Sequence, residues 1–237
     1  MMSFNMHKNI YLIGDIMIKN KIYILFIFLI TLCIFGVINT KAKELPLSKK
    51  IIYLDPGHGG VDPGSIYKNI YEKDINLKIC LKLKEELEKK GAKVYLTRNE
   101  DYDLSTPNTR SRKKSDLNNR VRLINDSNAD MYISIHLNST TSSNWHGAQV
   151  FYDDVNKKNK KIAEIMQEEF KNNLNTNREI DEITNMLLNR KVQIPGILIE
   201  AGFLSNNNDR YLLMKEEYQK KLSTIITNGV IKYFNKI

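Results

Sequence analysis

The sequence predicts an α/β domain: one twisted, mostly parallel sheet flanked by helices, with its site at the carboxyl ends of the strands. Three observations carry that prediction. Short β-favouring apolar runs recur at Ile51–Leu54, Met131–Ile135 and Ile197–Glu200, in lengths typical of buried strands rather than helices. The first run leads into an amphipathic helix and then a second strand, a β-loop-α-β unit that implies an α/β sheet. Residues with site chemistry stand where these runs end, namely His58, His136 and Glu200. Open α/β sheets bind their ligands there.

Taken in order, residues 1–50 are expected to be an N-terminal extension and residues 51–237 the folded domain. Ile22–Ile38 is an apolar run of 17 residues that tolerates only Thr31 and Gly36, with Lys19 and Lys21 before it and Lys41 and Lys43 after it. It is longer than a usual signal-peptide core and slightly shorter than a comfortable span of about 20 residues. Thr40-Lys41-Ala42 offers a small-x-small cleavage site. Basic residues ahead of the run favour a cytoplasmic N-terminus. The expectation is export, with the run as a cleaved signal or a membrane anchor. Met17 immediately precedes this unit and is the expected start. Lys43–Lys50 is read as a linker.

The strand Ile51–Leu54 is stopped by Asp55-Pro56-Gly57, and His58 begins a loop holding Gly57, Gly59, Gly60, Gly64, Pro56 and Pro63. Such a loop gives up side chains so that its backbone can approach a ligand. It is neither a dinucleotide fingerprint, since Asp62 stands where a third glycine belongs, nor a P-loop, which needs Gly-Lys-Ser/Thr. Asp74–Lys90 predicts a helix with Leu77, Cys80, Leu81 and Leu87 on one face and Gly91 as its C-terminal cap. Lys93–Thr97 is the second strand and Arg98–Lys114 a polar loop. Ser115 is expected to cap a helix to Asn128, turning Leu117, Val121 and Ile124 inward. Met131–Ile135 ends in His136-Leu137-Asn138-Ser139, and a polar loop leads to a strand at Ala148–Tyr152. Asp154 is expected to cap a helix to Phe170. Lys171–Arg190 is assigned no element. Pro195 marks Ile197–Glu200 as an edge strand or a strand start. Helices at Asn208–Met214 and Glu217–Tyr233 complete the domain.

Composition excludes several functions. The net charge is +9, of which about +5 lies in residues 1–50 (seven Lys against two acidic residues), leaving a mildly basic domain. Basic residues cluster from Arg98 to Arg122, but Tyr102 is the one aromatic among them and no nucleic-acid-binding motif accompanies them, so no nucleic acid partner is expected. The two cysteines, Cys33 and Cys80, lack a neighbouring His or a Cys-x-x-Cys spacing. Both read as small hydrophobes.

Convergent strand ends place His58, His136 and Glu200 around one mouth. A catalytic zinc takes three His/Glu-type ligands and leaves a position open. His58 and His136 supply two, and Glu72, at the start of the first helix beside the glycine loop, is the best third. Glu200 is then free to act on a water as general base and return the proton to a leaving nitrogen. Other readings stay open. Glu72 also suits a helix N-terminus on dipole grounds, and His136 a hydrogen-bonded loop histidine. Glu200 is harder to explain away, because a carboxylate ending an apolar run is costly unless paired or used. Arg120 and Asn138 are candidate substrate contacts, with a structural ion pair as the alternative for Arg120. His146 is left outside the ligand set.

Leu54-Asp-Pro-Gly-His58-Gly-Gly-x-Asp-Pro-Gly64, Glu72 with Asn76-Leu77, Arg120, Ser134-Ile-His136-x-Asn138 and Glu200-x-Gly-Phe-Leu-Ser-Asn206 resemble the zinc-dependent N-acetylmuramoyl-L-alanine amidases of bacterial cell walls. The resemblance runs from Ile51 to Ile237. It implies that His58, Glu72 and His136 bind a zinc ion (Zn2+), and that Glu200 is the catalytic acid/base. It also implies cleavage of the amide between the lactyl group of N-acetylmuramic acid and L-alanine of the stem peptide. Asp103-Leu-Ser, Ser111-Arg-Lys and Asp116-Leu-x-x-Arg120 resemble the sporulation amidases. These strip stem peptides from spore-cortex peptidoglycan, the first step toward the muramic-δ-lactam read by germination enzymes. One departure is Asn177-Arg-Glu-Ile-Asp-Glu-Ile-Thr184, where many relatives carry a glycine-containing segment lining the substrate cleft. The expected substrate is peptidoglycan, met outside the cytoplasmic membrane on the cortex side of a forming spore. An activating protein partner is also expected, since an amidase loose on the wall endangers its cell. A zinc carboxypeptidase acting on stem peptides and a catalytically silent wall-binding protein are the alternatives.

Overall fold

The computed structural model describes residues 17–32 and 44–236, and the chain divides into two units, residues 1–44 and 45–237. In the first unit residues 17–32 form a helix, α1, whose apolar side chains, Leu25, Phe26 and Phe28 among them, are exposed. Among the described residues no helix is long and apolar enough to cross a membrane. The end of the apolar run, Cys33, the Thr40–Ala42 motif and everything before Met17 lie outside the described residues.

The second unit opens earlier than expected. Leu47 is fully buried in the main core and its amide donates to the Lys90 carbonyl, so residues 45–50 belong to the fold rather than to a linker. Strand β1 (Ile51–Pro56) follows, then a small hairpin of β2 (Ile66–Tyr67) and β3 (Ile70–Tyr71), helix α2 (Glu72–Lys89) and strand β4 (Lys93–Leu96). Helix α3 (Arg112–Asn125), strands β5 (Met131–Asn138) and β6 (Gln149–Tyr152) and helix α4 (Asn159–Asn173) come next. The chain ends with β7 (Asp181–Glu182), α5 (Leu187–Lys191), β8 (Gly196–Phe203), α6 (Asn207–Leu213) and α7 (Glu216–Lys236). The six-stranded sheet has the order β4-β1-β5-β8-β6-β7. β4, β1, β5 and β8 run parallel; β6 is antiparallel to β8, with β7 parallel to β6.

Alternation along the strands sorts their side chains to two faces. Ile52, Leu54, Ile133, Ile135, Ile197 and Ile199 enter the main core with Ile79 and Leu83 of α2, Phe170 of α4 and Ile226 of α7. Tyr53 and Tyr132 enter a smaller core with Val121 and Ile124 of α3 and Leu188 of α5. His136 and Glu200 share the parity of Tyr132 and Leu198, so they rise on the α3/α5 side.

Several boundaries differ from expectation for local reasons. α2 begins at Glu72 because the Ser65 and Pro63 carbonyls accept the amides of Glu72 and Lys73, closing its first turn. Its buried face runs through Ile75, Ile79, Leu83 and Leu87, which leaves Leu81 exposed. α3 begins at Arg112, so Ser115 lies inside it; the Ser115 hydroxyl accepts the Thr106 amide instead of capping the helix. α4 begins at Asn159, after Asp154. β5 and β8 each run on past the expected end, which puts His136 within a strand rather than beyond it and Glu200 inside β8 rather than at its end. Pro195 does mark a strand start, but β8 is interior, between β5 and β6. The segment with no assigned element holds β7 and α5.

Candidate metal centre

His58 follows β1 by two residues and adopts a left-handed backbone conformation, φ 62°, which costs a residue with a Cβ of order 1–3 kcal/mol unless its surroundings hold it. Arg120 Nη2 donates to the His58 carbonyl at 2.7 Å, and Asp62 Oδ2 lies 3.0 Å from His58 Nδ1. His136 comes from β5, directly across from Glu200 in β8. Its ring lies on Gly57: a Cβ at that glycine would stand 2.3 Å from His136 Cε1. The glycine that ends β1 therefore makes room for a site side chain. Glu72 reaches the same point from the first residue of α2.

These three groups meet at one oxygen. Glu72 Oε1 lies 3.0 Å from His136 Nδ1 and 3.2 Å from His58 Nε2, and one ligand atom from each residue falls within 4.8 Å of the others. The carboxylate is aimed by the Leu137 amide (3.0 Å) and Asn76 Nδ2 (3.2 Å) on Oε1 and by the Ser65 amide (2.8 Å) on Oε2. Burial works to raise the Glu72 pKa, but hydrogen bonds and charge from His136 and His58 outweigh it and hold the carboxyl well below the usual range. A zinc ion about 2.0–2.1 Å from each of three tetrahedral ligands separates the ligand atoms by roughly 3.3 Å. Two imidazole nitrogens around a carboxylate oxygen at 3.0 and 3.2 Å fit that demand.

Glu200 stands beside this triad in a different state. Its Oε2 is buried with no hydrogen-bond partner among the described residues. Burial lifts its pKa to about 7, against the pull of His136 and His58 and with a push from Glu72. His58, Glu72, His136 and Glu200 line one cleft of about 540 Å³, together with Asn138 and Asn189. A carboxyl that can hold or release a proton near neutrality, in a cleft beside three groups spaced to hold a cation, has the parts that metal-assisted hydrolysis needs.

The other expected site residues fall differently. Asn138 ends β5 on the cleft wall, where its carbonyl accepts the Leu204 amide. Arg120 is 1% exposed. Its guanidinium is turned inward, to Asp55 and Asp116 and to the carbonyls of Pro56 and His58. It forms a buried ion pair with Asp55 and Asp116 at the wall of the cleft. His146 is exposed and outside the triad. Asn76 and Asp62, which contact the ligand candidates, stand in the motifs that carry the resemblance but were given no role, although Asn76 follows Glu72 by one helical turn, the spacing of side chains on one face.

The family model for N-acetylmuramoyl-L-alanine amidases matches residues 52–232. A germination-specific N-acetylmuramoyl-L-alanine amidase of Bacillus subtilis is 45% identical over 200 residues, covering 83% of this chain and 84% of that one. Among solved structures, the CwlD amidase of Clostridioides difficile, determined in complex with the GerS lipoprotein, superposes with a TM-score of 0.76. It is 41% identical over 79% of this chain and 100% of that one. The catalytic domain of CwlV, an N-acetylmuramoyl-L-alanine amidase of Bacillus (Paenibacillus) polymyxa var. colistinus, gives a TM-score of 0.69 at 29% identity, covering 78% of this chain and 98% of that one.

Proposed function

The chain belongs to the N-acetylmuramoyl-L-alanine amidase family, and from that premise we propose which bond it opens, with which residues and where. It is a peptidoglycan hydrolase that cleaves the amide joining N-acetylmuramic acid to L-alanine. In the finer reading His58, Glu72 and His136 hold a zinc ion and Glu200 is the acid/base. A zinc ion bound there supplies a Lewis acid that polarises the scissile carbonyl and acidifies water.

The observation that carries this reading is the unpartnered, proton-retaining carboxyl of Glu200 beside the His58–Glu72–His136 triad. Glu200 takes the proton from the attacking water and delivers it to the alanine nitrogen as the C–N bond breaks. The lactyl carboxylate stays on the glycan and the stem peptide leaves as an amine. A pKa near the working pH lets one group serve both steps. Glu72, gripped by Asn76 and the amides of Ser65 and Leu137, keeps its charge and position throughout. In this reading Asn138 contacts the substrate, supported by its position on the cleft wall.

The substrate is spore-cortex peptidoglycan, and removal of its stem peptides is the step toward muramic-δ-lactam. The 45% identity to a germination-specific amidase supports this. The domain acts outside the cytoplasmic membrane, exported by the apolar run at 22–38 as a signal or an anchor. A protein partner outside the membrane is part of the reading, supported by the CwlD structure, which contains a lipoprotein.

The test is mass spectrometry of peptidoglycan digested by the protein with zinc supplied, beside Glu200→Gln. Stem peptides beginning at L-alanine are expected from wild type alone, with activity lost by about 100-fold or more in the variant and its zinc retained. Loss of zinc from Glu200→Gln would contradict the assigned roles. Release of free amino acids would replace the amidase with a carboxypeptidase.

A further inference from the structure

Arg98 is a fully buried charged group that this chemistry leaves unused. Its side chain is 1% exposed, and no carboxylate of the described residues hydrogen-bonds it. All four of its hydrogen bonds go to backbone carbonyls. Nε donates to Pro56 at 3.0 Å, Nη1 to Glu100 at 3.1 Å, and Nη2 to both Gly57 at 3.0 Å and Lys73 at 2.8 Å. Gly57 precedes His58, and Lys73 follows Glu72. One planar fork thus ties the loop that carries the first ligand to the helical turn that carries the second.

The neighbouring sequence is shaped around this fork. A Cβ at Gly59 would stand 2.4 Å from the Tyr102 carbonyl oxygen and 2.9 Å from both Cδ and Nε of Arg98, so the absence of a side chain at residue 59 lets the loop close over both. Keeping an unpaired guanidinium buried is expensive, and packing alone does not require a charge there. A Lys cannot substitute geometrically, because its single nitrogen cannot span two segments in a fixed plane.

We propose that Arg98 is a positioning residue of the metal centre, setting the separation of His58 and Glu72 by holding the Gly57 and Lys73 carbonyls on one guanidinium. This rests on the reading of His58, Glu72 and His136 as metal ligands. Partners that orient ligands typically carry 10- to 100-fold in metal affinity.

The experiment is zinc binding to the full chain by competition with a chromophoric chelator, alongside thermal melting of the metal-free protein. The proteins are wild type, Arg98→Met, Arg98→Lys and Val230→Ala, a destabilising change in α7 remote from the loop. Wild type binding no zinc defeats the metal reading itself. If wild type binds, the expected result is about 10- to 100-fold weaker zinc binding by folded Arg98→Lys, with Val230→Ala melting earlier yet binding as wild type does. Arg98→Met should be weaker still, and should it fail to fold, the Lys variant decides. Wild-type affinity in either folded Arg98 variant, whatever its melting temperature, would overturn the proposal. An equal loss of affinity in Val230→Ala would overturn it too, by reducing the effect to general stability.

Discussion

Glu200 keeps its proton to about pH 7 because burial denies its carboxylate water. That has a consequence separable from catalysis. The folded-state pKa lies above the ordinary 4.5, so in the metal-free protein the protonated group's contribution to stability is full below about pH 4.5. It fades as pH rises through 7. Metal-free Glu200→Gln should therefore melt as wild type does near pH 4 and above wild type at pH 8; equal melting at both would show that the residue is solvated. Glu200 was legible in the sequence because a carboxylate closing Ile197-Leu198-Ile199 is hard to rationalise as structure. Arg98 was not. Its partners are main-chain carbonyls, which every residue possesses and which leave no mark in the sequence, so it read as a member of a basic cluster. Arg120 was legible as a substrate contact or an ion pair, and it is the ion pair with Asp55 and Asp116 that forms.

Between elements, the joint that matters for the site is β1 to α3. Arg120 of α3 reaches Asp55 of β1 at 2.8 Å, and Asp55 also accepts from Thr97 at the end of β4 and Ser134 in β5. Burial works to raise the Asp55 pKa, but Arg120 and these hydroxyls bring it down to about 2. The sign is opposite to that of Glu200: stability from Asp55 is present above the unfolded value near 3.8 and lost as pH falls through 2. The shift is worth about 2–3 kcal/mol. Asp55→Asn should flatten the acid-unfolding curve between pH 4 and 2, read by near-ultraviolet circular dichroism, while lowering stability at neutral pH; an unchanged acid slope would place the titration elsewhere. The strands of this joint were readable as apolar runs, but their ends were not. β5 and β8 continue past the unbroken apolar runs with alternating residues: His136 and Glu200 face the cleft while Leu137 and Ala201 stay in the core, and the two strands remain paired. The polar stretch that became β7 and α5 offered no periodicity.

At the scale of the whole molecule, the sheet class, its parallel core and the convergence of four residues on one mouth were all legible, while the start of the domain was not. Leu47, buried in the core, and the Lys50 carbonyl, which accepts the Lys93 amide, separate the expected boundary at 51 from the observed one at 45. A chain beginning at residue 45 should melt as the full chain does. One beginning at 51 forfeits a fully buried leucine and should lose about 2–5 kcal/mol by denaturant titration; equal stability of the two would return residues 45–50 to the linker. The strand order has one more consequence, in the time dimension of a polypeptide made from its N-terminus. His58, Glu72 and His136 all precede β8, whereas Glu200 arrives on it, and β8 must slot between β5 and β6. A chain halted before β8 thus holds the triad but lacks the buried carboxyl beside it; on the function proposed above, cutting begins only once that last interior strand is in place.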